Sequence, residues 1–275
     1  MFSILILARN EEADLPACLD SVRGCDDVVV LDSMSTDRTR EIALESGARV
    51  ETRAFDDFGS QRNHGMEKIK FRHAWVFHLD ADERFNEELR RECERVIDRD
   101  ECSAYSVPNR IFFLGKWIRH CTQYPYPQVR FVKVGEGRFK KAGHGQTLEW
   151  AKRGTGEIGV PYDHFNFSKG IRDWVDKHNR YSDEEAVHTL QLRKEPVGWV
   201  DLWSGDRLKR LKTMKKIMVR LPGRGWVKFS YLYFGCRGFL DGMPGLIYCG
   251  LQGFYEFLIS AKMREFRLKE MKKNS

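Results

Sequence analysis

No Cys-x-x-Cys pair occurs in this chain, and its seven cysteines (Cys18, Cys25, Cys93, Cys102, Cys121, Cys236 and Cys249) follow no regular spacing. An odd number without metal-ligand geometry reads as reduced thiols in a cytosolic compartment, not as a disulfide framework or a zinc site. Uninterrupted apolar runs of about eighteen residues are also lacking, so no ordinary membrane span is expected. The opening "MFSILILARNEE" has neither a basic leader nor a small-residue cleavage site, and no signal peptide is expected. Internal repeats and low-complexity tracts are absent. So are two phosphate-binding signatures. No GxGxxG follows the first strand, which argues against a dinucleotide dehydrogenase, and no GxxxxGK before Ser or Thr marks a P-loop enzyme.

What the chain does have is enough apolar material, 41% of 275 residues, for one large core or one core plus an appended element. Its formal charge of +7 is unevenly placed. From Gly205 onward sixteen Lys and Arg face five Asp and Glu, whereas the first 204 residues hold thirty-one against thirty-five. A mildly acidic body with an anion-seeking tail region is implied.

The first hundred residues alternate strand and helix patterns. "FSILILA", "DVVVLD", "ARVETR" and "AWVFHLD" are strand runs. "EADLPACLDSVRG", "STDRTREIALESG" and "DFGSQRNHGMEKIK" are the helices between them, punctuated by Gly24 and Gly47. Such alternation predicts an α/β fold with a mainly parallel sheet covered on both faces. From Ser103 to Phe167, "AYSVPNRIFFLG", "QVRFVKV", "GQTLEW" and "EIGV" predict short strands and hairpins. After Gly170 the pattern turns helical, and the spacing of Ser182 and Glu185 suggests a capping box between two helices meeting near Tyr181.

Ligands on parallel sheets bind at the carboxyl ends of the strands. Three groups of polar residues fall there: Asn10 with Glu11 and Glu12, then Asp32, then Asp80 with Asp82 and Glu83 in "WVFHLDADERF". Alternate residues of a strand share a face, so Asp80 and Asp82 can point into one pocket. Hard divalent cations prefer oxygen, and Mg²⁺ is commonly held by one or two carboxylates plus substrate phosphates. The acids therefore suggest a metal–diphosphate site, with Arg62 as a second positive group.

"ILARNEEADLPACLDSV", "VVVLDSMSTDRTREIA", "FGSQRNHG" and "VFHLDADERF", in this order and at these gaps, resemble inverting family-2 glycosyltransferases of the GT-A fold. The likeness runs on through "FFLGKWIRH", "YPYPQVRF", "HFNFSKGIRDWVDKHNRYSDEEA" and "RGFLDGMPGLIYCGLQGFYEFLISAKMRE", and there it is similar to transferases that build lipopolysaccharide cores and surface polysaccharides. The resemblance implies a GT-A catalytic domain over 1–168, with a nucleotide-sugar half at about 1–100 and an acceptor-side half at about 101–168. A helical, membrane-facing region would follow over 169–275.

By the same resemblance, Ala8, Asn10 and Glu12 line the donor's base, and Asp32 bonds the uracil or its equivalent. Asp80 faces the ribose and metal, and Asp82 binds the metal, Mg²⁺ or Mn²⁺. The donor is expected to be a nucleotide sugar, UDP-linked, and the acceptor a lipid-linked glycan or glycolipid.

An inverting transfer also needs a general base to take the acceptor hydroxyl proton. Relatives read "HE" where this chain has "AGHGQTLEW", so the family carboxylate is missing at its usual step. His144 and Glu149 become the candidates, with Asp163 and His164 behind them, and Tyr124 and Arg130 are expected on the acceptor side. In "RLKRLKTMKKIMVRL", Leu208, Leu211, Met214, Ile217, Met218 and Leu221 form one apolar face opposite Lys and Arg. That is the form of a helix lying on an anionic membrane surface. The apolar run Gly242–Tyr255 is too short to span. These features suggest a cytoplasmic protein, peripheral on the inner face of the plasma membrane, with no nucleic-acid partner, since no binding motif for one is present. Two rivals stand beside a transferase. A sugar nucleotidyltransferase requires a Gly-rich, Lys-containing loop that "LARNEEADL" lacks. A degenerate membrane scaffold would release no nucleotide.

Overall fold

Short apolar runs alternate with helices through the first hundred residues: β1 (Ser3–Ala8), α1 (Leu15–Ser21), β2 (Val28–Asp32), α2 (Thr39–Glu45), β3 (Arg49–Thr52), α3 (Phe58–Lys68), β4 (Trp75–Asp80), the two-residue β5 (Glu83–Arg84) and α4 (Glu87–Arg99). This computed structural model describes residues 1–143, 145–205 and 207–273. Every residue of β1 is buried, which is why its sequence is continuously apolar and does not alternate. Pro16 occupies the first turn of α1, where its missing N–H costs nothing. The Asp57 and Asn86 side chains cap α3 and α4 by accepting from the Ser60 and Leu89 amides.

β1 pairs in parallel with β2 and β4, and β2 with β3. The register sets Ala8 against Asp32 and Leu7 against Asp80, so three strand ends open side by side at one edge of the sheet. Behind that edge, an aromatic core fixes β4. Trp75 stacks on Phe131 with ring centroids 4.9 Å apart, and Phe77 meets Phe85 edge-on at the same distance. Burying each such side chain stabilises the fold by roughly 1.5–3 kcal/mol.

The next segment supplies β6 (Ala104–Val107), β7 (Asn109–Phe113), β8 (Lys116–Trp117), β9 (Gln128–Lys133), β10 (Gly137–Ala142), β11 (Gly145–Ala151), β12 (Thr155–Glu157) and β13 (Tyr162–His164). The main sheet has the order β12-β6-β9-β4-β1-β2-β3, with β9 antiparallel to both β4 and β6. The run "AYSVPNRIFFLG" is two strands, not one. Pro108 divides it, sending β6 to the main sheet and β7 to a four-stranded sheet ordered β5-β13-β7-β8. β13, absent from the sequence expectations, pairs with β5 directly after the Asp80–Asp82 turn. The β10–β11 hairpin is tied to α3 through Asn63, whose amide bonds both the N–H and the carbonyl of Phe139 at 2.9 and 2.8 Å.

The chain divides into two compact units, Met1–Gly170 and Ile171–Ser275. The second is helical: α5 (Gly170–Lys194), α6 (Arg207–Met218), α7 (Arg224–Ser230) and α8 (Gly242–Lys273). α5 is continuous through Tyr181, contrary to the expected break. Ser182 is buried, and its hydroxyl donates to the Asn179 carbonyl at 2.7 Å, so it bonds back into the helix and starts no new one. Among the described side chains of α6 Thr213 is buried, as is Val219 just after it, while Met214 and Met218, on the expected apolar face, are 51% and 40% exposed. The side chains of Leu208 and Leu211 lie outside the described residues. Among the described residues, no helix is long and apolar enough to cross a membrane.

Candidate active site

Asp80, at the end of β4, is held on both carboxylate oxygens. Arg62 of α3 donates to one at 2.8 Å, and Arg130 of β9 donates to the other at 3.0 Å. Arg130 also binds the Glu83 carboxylate at 2.6 Å and the Tyr162 hydroxyl at 3.0 Å. The second oxygen of Glu83 accepts the Asp80 amide at 2.8 Å. Glu83, Arg62 and Arg130 are all buried. Burial would raise Asp80, but Arg130 and Arg62 outweigh it and hold the carboxyl well below the usual carboxylate range. Burial pushes the Glu83 carboxyl up despite Arg130, with the Asp80 charge adding to the rise. The function of Glu83 is thus geometric: it fixes the turn that delivers Asp80 and Asp82.

Asp82 lies one step beyond this buried frame and remains partly exposed. Its carboxylate faces the His164 imidazole of β13 across 3.4 Å, and its carbonyl accepts the Phe165 amide at 2.9 Å. Burial would lower the His164 pKa, but the Asp82 carboxylate outweighs it and lifts the imidazole to about 9. Positive charge is therefore favoured at this spot. Asp82 offers one carboxylate oxygen and His164, once a cation displaces its proton, one nitrogen, a set compatible with Mn²⁺ and, through the carboxylate, with Mg²⁺. Among the described residues no three His, Cys, Asp or Glu side chains converge as a cation cage. A cation here would draw its further ligands from a bound phosphate group, which is the ordinary arrangement for such ions.

The loops beside these acids are knitted to each other. Asn10 has a positive φ of 54°; its amide donates to Ser35 Oγ and its side-chain oxygen accepts the Thr36 amide, both at 2.8 Å. Glu12 accepts the Arg38 amide at 3.1 Å. Asp32 is buried, with both oxygens on the Ser35 amide at 3.1–3.2 Å. Ala8 is buried beneath, at the strand end. Lys169 crosses over this loop, donating to the Asn10 carbonyl at 2.6 Å and pairing with Glu11 at 2.8 Å.

The sequence-predicted residues thus separate into three groups. Ala8, Asn10, Glu12, Asp32, Asp80 and Asp82 gather on the open edge of the sheet. Arg62 and Arg130, expected against diphosphate and acceptor, are buried behind Asp80 because its carboxylate draws both guanidiniums inward. Tyr124 lies edge-on to Trp117 at 5.1 Å, under the Arg119 guanidinium. Trp117 is on β8, an edge strand of the four-stranded sheet that carries His164 on β13, with β7 between them.

Glu149 is on β11, where its partner is Arg138 at 3.7 Å, and its side chain is exposed. No bond joins it to Asp80 or Asp82 among the described residues. His144 lies outside the described residues. Glu149→Gln is expected to change kcat by no more than about threefold. A loss of about 10²–10⁴, the range for removing a general base, would restore the carboxylate to that role. The sequence does not single out Tyr162, and it offers His164 only as a reserve candidate for the general base, not beside Asp82. Their signal was the spacing "YDH", which puts both on one face of a strand.

The sequence profile of Glycosyl transferase family 2 matches residues 3–148. The Lipopolysaccharide core biosynthesis glycosyltransferase LpsC of Rhizobium meliloti is 24% identical over 95% of this chain and 91% of its own length. An uncharacterized glycosyltransferase of Rickettsia typhi is 26% identical over 97% and 88%. Among solved structures, the mannosyltransferase PcManGT of Pyrobaculum calidifontis, in complex with GDP-Man and Mn²⁺, has a TM-score of 0.51 at 12% identity and covers 95% of this chain and 86% of that one, a likeness of fold. With a mainly parallel sheet, acids at its carboxyl edge and a family match over more than half its length, this chain belongs to glycosyl transferase family 2 and is a GT-A glycosyltransferase.

Proposed function

We propose that this protein moves a sugar from a nucleotide-sugar donor, with a divalent cation on Asp82, to a lipid-linked glycan or lipopolysaccharide precursor at an anionic membrane surface on the inner face of the plasma membrane. The observation that carries the donor half is the Asp82–His164 pair, which faces outward from a turn clamped by Glu83, Arg130 and Arg62. The Mn²⁺ and GDP-Man of the mannosyltransferase neighbour are consistent with it. A bound cation would neutralise charge developing on the diphosphate leaving group.

The protein's own residues do the rest. Arg62 and Arg130 keep Asp80 ionised and immobile, and Glu83 fixes its backbone. Asp82, with His164 beside it, would hold the cation, and the knitted 10–12 and 33–36 loops offer a rigid edge to the nucleotide base. The acceptor hydroxyl approaches from the side of the Trp117–Tyr124 pair and attacks the anomeric carbon opposite the diphosphate: the glycosidic bond forms as the carbon–phosphate-oxygen bond breaks, the nucleoside diphosphate leaves, a general base takes the hydroxyl proton, and the configuration inverts.

The acceptor half rests on the name of the Rhizobium relative and on the second unit's surface. Met214 and Met218 are turned outward on a cationic helix, and Trp203 and Trp226 are 90% and 79% exposed. Nucleotide release from a panel of UDP- and GDP-sugars, measured with Mn²⁺ and with chelator, tests the donor half. Cation-dependent release from at least one donor is expected. No release from any, with or without cation, contradicts it and favours a non-catalytic scaffold.

A further inference from the structure

From the end of α7 through the first turn of α8, residues 231–246, the chain makes a corner whose apolar side chains are exposed. Tyr231, Phe234, Phe239, Leu240, Met243 and Leu246 are all exposed, Phe234 at 63% and Met243 at 67%. Single exposed apolar residues are ordinary on protein surfaces, but a cluster of six within sixteen residues marks an interaction surface. The charged residues in the segment are Arg237 and Asp241, and Asp241 is buried.

The tip is also built to hold its shape. A π-helical turn at Tyr231–Gly235 and a 3₁₀ turn at Gly238–Asp241 make the corner. The Tyr233 ring sits among Phe229, Phe234 and Phe239, with centroids 5.4, 5.1 and 6.3 Å away. Its two legs meet at backbone contact. A methyl group added at Gly225 would lie 2.6 Å from the Gly253 carbonyl oxygen, and one at Gly245 would lie 2.3 Å from that of Gly238. Neither oxygen can move without shifting a helix.

The charge of the flanking sequence selects the partner. Residues 207–262 contain eleven Lys and Arg and only two acids, and of the cations Lys216 pairs with Glu195, just after α5, and Lys262 with Asp183 of α5. Of the two acids within that range, Asp241 is buried and Glu256 pairs with Arg224 at 2.6 Å. We propose that residues 231–246 form a wedge that enters the headgroup and upper acyl region of an anionic bilayer, with the flanking Lys and Arg on lipid phosphates. This rests on the anionic-surface reading above and names its insertion element. An acidic soluble partner would match the cations but leave the apolar tip in water. A second copy would cover the tip but bring like charges together. An anionic bilayer takes both, and in-plane insertion fits helices that do not span.

The test uses the full chain and vesicles of phosphatidylcholine with phosphatidylglycerol, at low salt and at about 1 M, where the screening length is about 3 Å. Wild type is expected to stay bound at high salt. The double variant Phe234→Ser, Met243→Ser should lose binding by about tenfold or more and become salt-reversible. The variant with both residues changed to Leu should behave as wild type. All three should release nucleotide alike without vesicles, and the Ser variant should melt within about 4 °C of wild type, the cost of losing the Phe234–Tyr233 edge contact. If wild type and the Ser variant bind alike at low salt and are both released at high salt, the wedge is wrong and the anionic-surface reading survives. No binding at either salt removes both. A dimer in solution that the Ser substitutions dissociate, with vesicle binding unchanged, makes the tip an interface between copies and overturns the wedge.

Discussion

Asp82→Asn lowers cation-dependent sugar transfer by about 10²–10³-fold, the loss typical when one preorganised group opposite developing charge is removed. The fold should lose some stability at neutral pH. The bond that Asp82 contributes to β13 comes from its carbonyl, which accepts the Phe165 amide and survives the substitution, but the His164 imidazolium loses the carboxylate that lifts it to about 9. That loss is on the order of 1–3 kcal/mol, a drop of roughly 2–8 °C in melting temperature that shrinks as pH rises toward 9. Asparagine keeps an oxygen toward His164 but loses the charge that a divalent ion requires. Initial rates against Mn²⁺ concentration, for wild type and variant at saturating donor, check this. A variant that keeps its rate and its Mn²⁺ dependence would remove Asp82 from the cation site.

Arg130→Met acts on the frame beneath and should be the most destabilising single change at the site. It leaves Asp80, whose side chain is 26% exposed, with one guanidinium, and the fully buried Glu83 with none. Breaking a buried pair from one side costs about 3–5 kcal/mol. For a chain of this size that is a drop of roughly 10 °C in melting temperature. Replacing Glu83 with Met in the same background should recover part of the loss, since the uncompensated carboxyl is then gone. Recovery should be incomplete, because the Asp80 amide would also lose its acceptor on Glu83. Thermal unfolding of the two single variants and the double variant separates these contributions. Equal stability of Arg130→Met and wild type would mean that the clamp has no structural role.

The parallel half of the fold was legible because β1, β2 and β4 are almost wholly buried and the first three helices are punctuated locally, as at Pro16 and Asp57; α4, capped by Asn86, was not read from the sequence. The second sheet was not, because its strands are short and its pairing is non-local. Nothing in "YDH" announces a strand until β5 and β7 lie on either side of it. Residue types were easier to read than directions. Asp80, Asp82 and Arg62 were singled out, but a sequence does not reveal that two arginines turn inward to a single carboxylate. Glu83 could be seen as a third acid, yet its bond to the Asp80 amide exists only once the turn has formed. In the C-terminal unit, the helical period showed which side chains share a face but not which face is covered. Met214 and Met218 prove to be on the uncovered one.

The most direct measurement is the anomalous difference density of crystals grown with Mn²⁺ and a slowly transferred nucleotide sugar. A manganese peak in contact with the Asp82 carboxylate and the donor's phosphates is the expected result. A donor bound in the crevice with manganese absent from Asp82, or seated elsewhere, would contradict it.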